Sequence, residues 1–118
     1  MTKQATLLRS AMAMLGLVAA LTVLGSSAYA DEPSFAIEFV DGTMTPLRIE
    51  VSANTRFKIN LTNKGKTPAE FESHELHLEK VLAAGTASTL VIRTLDPGEY
   101  KFFDDFHPEA PQAVLVAK

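Results

Sequence analysis

Two stretches of this chain carry residue types able to hold a metal ion. Residues 99–113 read Glu-Tyr-Lys-Phe-Phe-Asp-Asp-Phe-His-Pro-Glu-Ala-Pro-Gln-Ala, and residues 70–75 read Glu-Phe-Glu-Ser-His-Glu. The chain has no cysteine, so a site must be built from His, Met, Asp, Glu or backbone oxygen. Carboxylates with one or two imidazoles suit iron, manganese, copper(II) or zinc. His107 is the leading donor: imidazole is the commonest side-chain ligand for these metals, and Pro108 stiffens the loop behind it. Asp104 and Asp105 are adjacent, so in extended backbone their side chains leave on opposite sides and one of the two faces a site. Glu70 and Glu72 share a parity that Phe71 does not. With Phe71 inward, both glutamates lie on an outer face, as a cation clamp or as a solvated surface. Met44 is either a thioether ligand, suited to copper(I), or a flexible core filler. His74 and His77 read as surface residues before they read as ligands. There is no phosphate-cradling glycine loop, and the serines and threonines near His74 do not make a Ser-His-Asp set.

The elements that must position these residues are strands. Phe35, Ile37 and Phe39 alternate toward one face, as do Leu47, Ile49 and Val51, then Phe57, Ile59 and Leu61, then Leu90 and Ile92, then Tyr100 and Phe102; a period of two marks half-buried strands. Asp41-Gly42, Ala53-Asn54 and Asp96-Pro97-Gly98 are turn signals between them. Residues 114–116, Val-Leu-Val, close the chain. Residues 69–82 are the ambiguous part: 70–73 reads as a strand, while Leu78, Val81 and Leu82 stand at helical spacing, which predicts one or two helical turns. Phe102, Phe103 and Phe106 are expected to pack around the site. Six or seven short strands with little helix predict an all-β sandwich or small barrel.

Residues 1–30 have the three parts of a secretory signal: Lys3 and Arg9, an apolar run from 11 to 24, and Ala28-Tyr29-Ala30 before the cleavage point. The folded domain is then expected over residues 31–118, as an exported domain. Of 11 basic and 14 acidic residues in the chain, two basic ones and no acidic one fall in that leader, which leaves 9 against 14, a net charge of −5 on the domain. That balance disfavours nucleic acid and anionic membrane as partners, both of which call for basic patches, and it is compatible with a cation.

The order of these parts resembles the cupredoxin family, Greek-key β-sandwiches that bind metal at one end. The segments that carry the resemblance are 39–51 with Pro46, 61–71 with Asn63 and Pro68, the Pro97-Gly98-Glu99-Tyr100 turn, and the loop 104–112 before the last strand. Against the family's ligand loop, Asp104 stands at the cysteine position, His107 keeps the histidine spacing, Gln112 falls at the methionine position, and the upstream histidine position falls on Ala69 or Glu70. Without the cysteine a blue-copper electron-transfer site is excluded. A narrower resemblance, through Glu70-Phe71-Glu72-Ser73, Glu79-Lys80-Val81 and Phe103-Asp104-Asp105-Phe106-His107, is to the small periplasmic cupredoxin-like proteins of EfeO and FtrB type in bacterial iron-uptake systems. It implies metal ligands at the positions of Met44, Glu70 and Asp104; with His107 at the wider family's spacing and Glu72 on the strand face of Glu70, the expected site is drawn from His107, Asp104, Glu70, Glu72 and Met44, in a Greek-key β-sandwich with the short helical insertion read above. The same resemblance implies iron or copper as the ion. Its implied partners are an inner-membrane, oxidase-dependent iron permease and other periplasmic iron-uptake components, with a homodimer among the open alternatives. Assistance in oxidising Fe(II) and simple carriage of the ion both stay open. So does a sandwich that has lost its site and bridges other subunits.

Overall fold

The computed structural model describes residues 32–118; the leader expected over residues 1–30 lies outside them. Nine strands make up the described chain: β1 Ser34–Val40, β2 Thr43–Thr45, β3 Arg48–Val51, β4 Phe57–Asn63, β5 Ala69–Ser73, β6 Leu78–Leu82, β7 Ala87–Ile92, β8 Gly98–Asp104 and β9 Ala113–Ala117. One sheet has the order β2-β1-β4-β7 and the other β3-β9-β8-β5-β6. Each is mixed, with β1 parallel to β4 in the first and β3 parallel to β9 in the second. The all-β sandwich expected from the alternating residues is the fold observed.

The core is the sum of the inward parities. Ile37, Phe39, Phe57, Ile59 and Leu61 from the first sheet meet Ile49, Val51, Phe71, Phe102 and Leu115 from the second, all buried. Phe71 and Phe102 stack with ring centroids 5.3 Å apart, and Phe35 meets Phe57 edge to face. Aromatic pairs of this kind add about 0.5–1.5 kcal/mol beyond their buried area. The Asp41-Gly42 pair makes the two-residue turn between β1 and β2, with Val40 opposite Thr43. Both turn residues have positive φ, 45° and 91°, the backbone that Asp-Gly accepts most readily in a tight hairpin.

One expectation is overturned. The residues read as helical turns form a four-residue turn and then β6, hairpinned onto β5 with Ala69 opposite Leu82 and Ser73 opposite Leu78; no helix occurs among the described residues. Leu78 and Leu82 have the same strand parity and turn inward, while Val81, which completed the helical spacing, is 54% exposed. His77 closes the turn in the left-handed region, with φ of 54°. Pairing with β5 therefore decided the conformation of a segment whose apolar spacing fitted a helix equally well.

Candidate metal centre

The register between β5 and β8 sorts the candidate ligands. Phe71 pairs with Asp104 and Glu72 with Phe103. Residues directly opposite across a ladder share a face, so Asp104 lies on Phe71's inward side, whereas Glu70 and Glu72 lie on the outward side. The five residues expected in one site are thus divided by the thickness of a sheet.

On the inward side Asp104 is 3% exposed, and its carboxylate is fully engaged. Oδ1 accepts the backbone N–H of Glu70 at 2.9 Å and that of Phe106 at 3.1 Å. Oδ2 lies 2.9 Å from Nδ1 of His107. The aspartate at the cysteine position thereby ties β5 to the loop after β8 and holds the histidine of that loop. The His107 ring lies against the β1–β2 turn: a Cβ at Gly42 would come within 3.0 Å of its Cδ2, so the absence of a side chain there makes room for the imidazole. Met44 is 6% exposed and belongs to the buried apolar cluster, where it fills space as a flexible core residue does. Gln112, at the family's methionine position, is exposed.

The same end of the sandwich is braced by two further polar side chains. Asn63, fully buried, donates from Nδ2 to the carbonyls of Thr67 and Leu82 and accepts the N–H of Gly65. Asp41 Oδ1 accepts from the backbone N–H groups of Lys66 and Thr67 and from the Thr67 hydroxyl. These bonds, the Thr67 hydroxyl foremost, hold the Asp41 carboxyl below the usual range.

On the outward side Glu70, Glu72 and Glu79 each offer a carboxylate oxygen, and these oxygens all lie within 4.8 Å of one another. Glu79 stands directly opposite Glu72 on β6. Asp105, whose N–H donates to the carbonyl of Glu70, is the fourth acid of the group and faces out as Asp104 faces in. Partial burial first, then the Asp105 carboxylate and the neighbouring glutamates, push the Glu70 carboxyl above its ordinary value. Glu72 is raised in the same way, by burial and then by Asp105, with His74 partly offsetting the shift. His74 Nδ1 stands 3.6 Å from Glu72 Oε1, and its ring lies 5.5 Å from that of Phe103. Neither Glu70, Glu72 nor Glu79 has a Lys or Arg ion-pair partner among the described residues. Phe102 packs in the core and Phe103 is half-buried, whereas Phe106, expected to pack beside the site, is 46% exposed.

Glu79 is the member the sequence reading did not place in a site, because a helical segment would have turned it elsewhere. The signal for it was the short polar stretch His74 to His77 between two runs able to form strands: a hairpin turning there puts Glu79 opposite Glu72.

A model of the cupredoxin-like domain matches residues 12–117, and the chain belongs to the cupredoxin-like family. It is 32% identical over 80 residues to the uncharacterized protein RP394 of Rickettsia prowazekii (strain Madrid E), a match covering 68% of this chain and 64% of that protein. The chain thus spans less than two thirds of the length of that curated relative. Among solved structures it is similar to the purple cupredoxin of Nitrosopumilus maritimus (TM-score 0.55, 18% identity, 71% of this chain and 99% of that one). It is also similar to the metal-binding domain of the Cu(I)-exporting P-type ATPase CopA of Streptococcus pneumoniae, solved with Cu(I) (TM-score 0.63, 10% identity, 72% and 84%). Identities this low establish the shared fold and nothing about the ion.

The donors present set the chemistry. The outward group is all carboxylate oxygen, which fits hard and borderline divalent cations such as Mn(II), Fe(II) and Zn(II) and does not fit Cu(I), an ion of thiolate and thioether. The inward pair offers one imidazole nitrogen beside an aspartate already bonded on both oxygens.

Proposed function

We propose that this chain is an exported cupredoxin-like protein that binds a divalent metal ion, iron first and copper(II) second, in bacterial iron uptake. Its place is beside an oxidase-dependent permease of the inner membrane, to which it delivers iron or whose oxidation step it assists. The observation that carries the reading is the convergence of Glu70, Glu72 and Glu79 within 4.8 Å, with Asp105 alongside and no Lys or Arg to neutralise them among the described residues. Like charges opposite one another on neighbouring strands destabilise a sheet; a bound cation turns that repulsion into attraction. Iron would be cargo or substrate here. Anionic oxygen donors stabilise Fe(III) over Fe(II), which eases loss of one electron to an external oxidant such as dioxygen. The narrower sequence resemblance to EfeO- and FtrB-type proteins supports the iron-uptake setting and the periplasmic location.

The test is titration of the purified protein with Fe(II) under anaerobic conditions and with Mn(II) and Cu(II), beside Glu70→Gln and Glu72→Gln. Stoichiometric binding weakened by both substitutions supports the reading. Binding weaker than about 1 mM for every ion, beyond the loose end of known carboxylate sites, would sink it. Oxygen consumption with Fe(II) then separates an oxidation partner from a carrier.

A second reading, a sandwich that bridges other subunits without metal, is favoured by one observation: the residue at the cysteine position, Asp104, spends its carboxylate on internal hydrogen bonds. Pull-down of other uptake components by a protein that binds none of these ions would favour it.

A further inference from the structure

Among the described residues the two sheets end in four strand edges, β2 and β7 in one and β3 and β6 in the other. Three of these edges carry features that keep an edge from pairing with another chain. β2 is three residues long and runs into Pro46, which has no N–H to offer. β3 holds Arg48 and Glu50, and β6 holds Glu79 and Lys80. β7 has no such feature. Residues 83–92 read Ala-Ala-Gly-Thr-Ala-Ser-Thr-Leu-Val-Ile, without a charge or a proline.

The ladder shows which backbone groups of β7 are left over. Along β4, Lys58 donates its N–H to Pro33 on the β1 side, while Asn63 donates to Thr86 on the β7 side. Successive residues of a strand alternate in this way, so Phe57, Ile59 and Leu61 turn their backbone groups toward β7. Their partners there are Ile92, Leu90 and Ser88. The N–H and C=O groups of Ala87, Thr89 and Val91 therefore point away from β4, along the edge. The side chains of these three residues are exposed as well, and Leu90 on the inner side is only half-buried.

We infer that β7 is the strand by which two copies of this chain join, edge to edge and antiparallel, about a two-fold axis at Thr89. A second copy is the occupant this edge fits. Across a two-fold axis a strand meets itself, so a charge near the axis would face its like, and β7 carries none. Two copies, each with a net charge of −5 on residues 31–118, repel one another elsewhere, and the neutral strand is where they approach at least cost. The register that uses all three outward-pointing residues sets Thr89 opposite its own counterpart and Ala87 of each copy opposite Val91 of the other. Each such pair exchanges two N–H···O bonds, and Thr–Thr is a favourable cross-strand pair. On the inner side, Ser88 of each copy stands opposite Leu90 of the other and covers it. The outward carboxylates belong to the other sheet and stay open.

Sedimentation velocity reads the association, on protein expressed from the full coding sequence and held in EDTA so that no ion bridges carboxylates. The native chain should be a dimer that dissociates on dilution; a monomer at every concentration up to about 1 mM overturns the inference. Thr89→Lys sets two ammonium groups face to face at the axis and should raise the dissociation constant about tenfold or more. Thr89 gives up only a surface bond to Asn60 in that variant. Val81→Lys, the same charge on the edge of the other sheet, should leave the constant unchanged. A dimer indifferent to Thr89→Lys, or weakened as much by Val81→Lys, overturns the inference too. The register is read by single cysteines, since the chain has none. On mild oxidation Thr89→Cys should be trapped as a disulfide-linked dimer, because opposed residues lie within the Cα separation of about 4.4–6.8 Å that a disulfide needs. Ala87→Cys should not be trapped, its two copies standing four residues apart along the strands, about 13 Å. Equal trapping of both, or of neither, overturns the pairing. A monomer that binds metal sinks this inference alone, and a dimer that binds none sinks only the metal-binding reading.

Discussion

The two faces of the sheet at β5 and β8 treat their carboxylates in opposite ways. Inward, Asp104 is buried and every oxygen has a donor within 3.1 Å. Outward, Glu70, Glu72, Glu79 and Asp105 are near one another and have no Lys or Arg partner among the described residues. A buried charge persists only when its hydrogen bonds are made, so the inner carboxylate is explained by the fold itself. Partly exposed acids are under no such obligation, yet partial burial first and then their mutual repulsion raise the carboxyls of Glu70 and Glu72 above the ordinary range, and that repulsion works against the hairpin that carries them. The inner group stabilises the chain; the outer group is a cost to it that a cation would offset. That difference separates architecture from the proposed cation binding at one end of one sheet.

The comparison is broken most severely by removing an inner polar group. Asp104→Ala strands the N–H groups of Glu70 and Phe106 and releases His107; the expected loss is about 2–5 kcal/mol, read by urea unfolding. A domain of this size has only modest stability, so that loss takes up much of it. Asn63→Ala leaves the N–H of Gly65 and the carbonyls of Thr67 and Leu82 unpartnered and should cost about 1–3 kcal/mol in the same measurement. If either substitution is neutral, the inner groups are not structural and the contrast fails.

Outer substitutions should act in the other direction and more weakly. Glu79→Gln removes one member of the directly opposed Glu72–Glu79 pair, and the melting temperature of metal-free protein at neutral pH should rise by roughly 1–5 °C. A fall would mean that the glutamates support the hairpin without a cation. The pH dependence sharpens the same point. Glu70 and Glu72 hold their protons more tightly folded than unfolded, so around the ordinary glutamate range the folded chain binds more protons and stability falls as pH rises. The native chain should therefore lose ground to a Glu70→Gln/Glu72→Gln variant as the pH is raised from about 4 to about 7, in paired thermal melts. Asp41 and Glu50 are shifted the other way and contribute equally to both proteins, so the difference isolates the outer acids.

Much of this arrangement was legible in the residue order. Alternation in 34–40 and 57–63, the Asp41-Gly42 turn and the Pro97-Gly98 turn gave the strands, and the Glu70/Phe71/Glu72 parity gave the outer face of β5. The adjacency of Asp104 and Asp105 likewise showed that they must diverge. What parity within one strand does not contain is the register between strands. Only the Phe71–Asp104 pairing reveals that the aspartate nearest the histidine is on the wrong face to join Glu70. Glu79 was hidden for a related reason: the Leu78, Val81 and Leu82 spacing fits a helix, and pairing with β5 decided otherwise. The carboxylate-to-imidazole bond was half legible, since the spacing of Asp104 and His107 allowed it but the burial that enforces it is a property of the assembled end of the sandwich.

The central claim, that the outward carboxylates hold a cation, is tested most directly by adding Mn(II) in substoichiometric amounts to 15N-labelled protein and following amide signals by NMR. Paramagnetic broadening should appear first at Glu70, Glu72, Glu79 and Asp105 and disappear in the Glu70→Gln/Glu72→Gln variant. Broadening centred elsewhere, or equal broadening in the variant, would contradict the account.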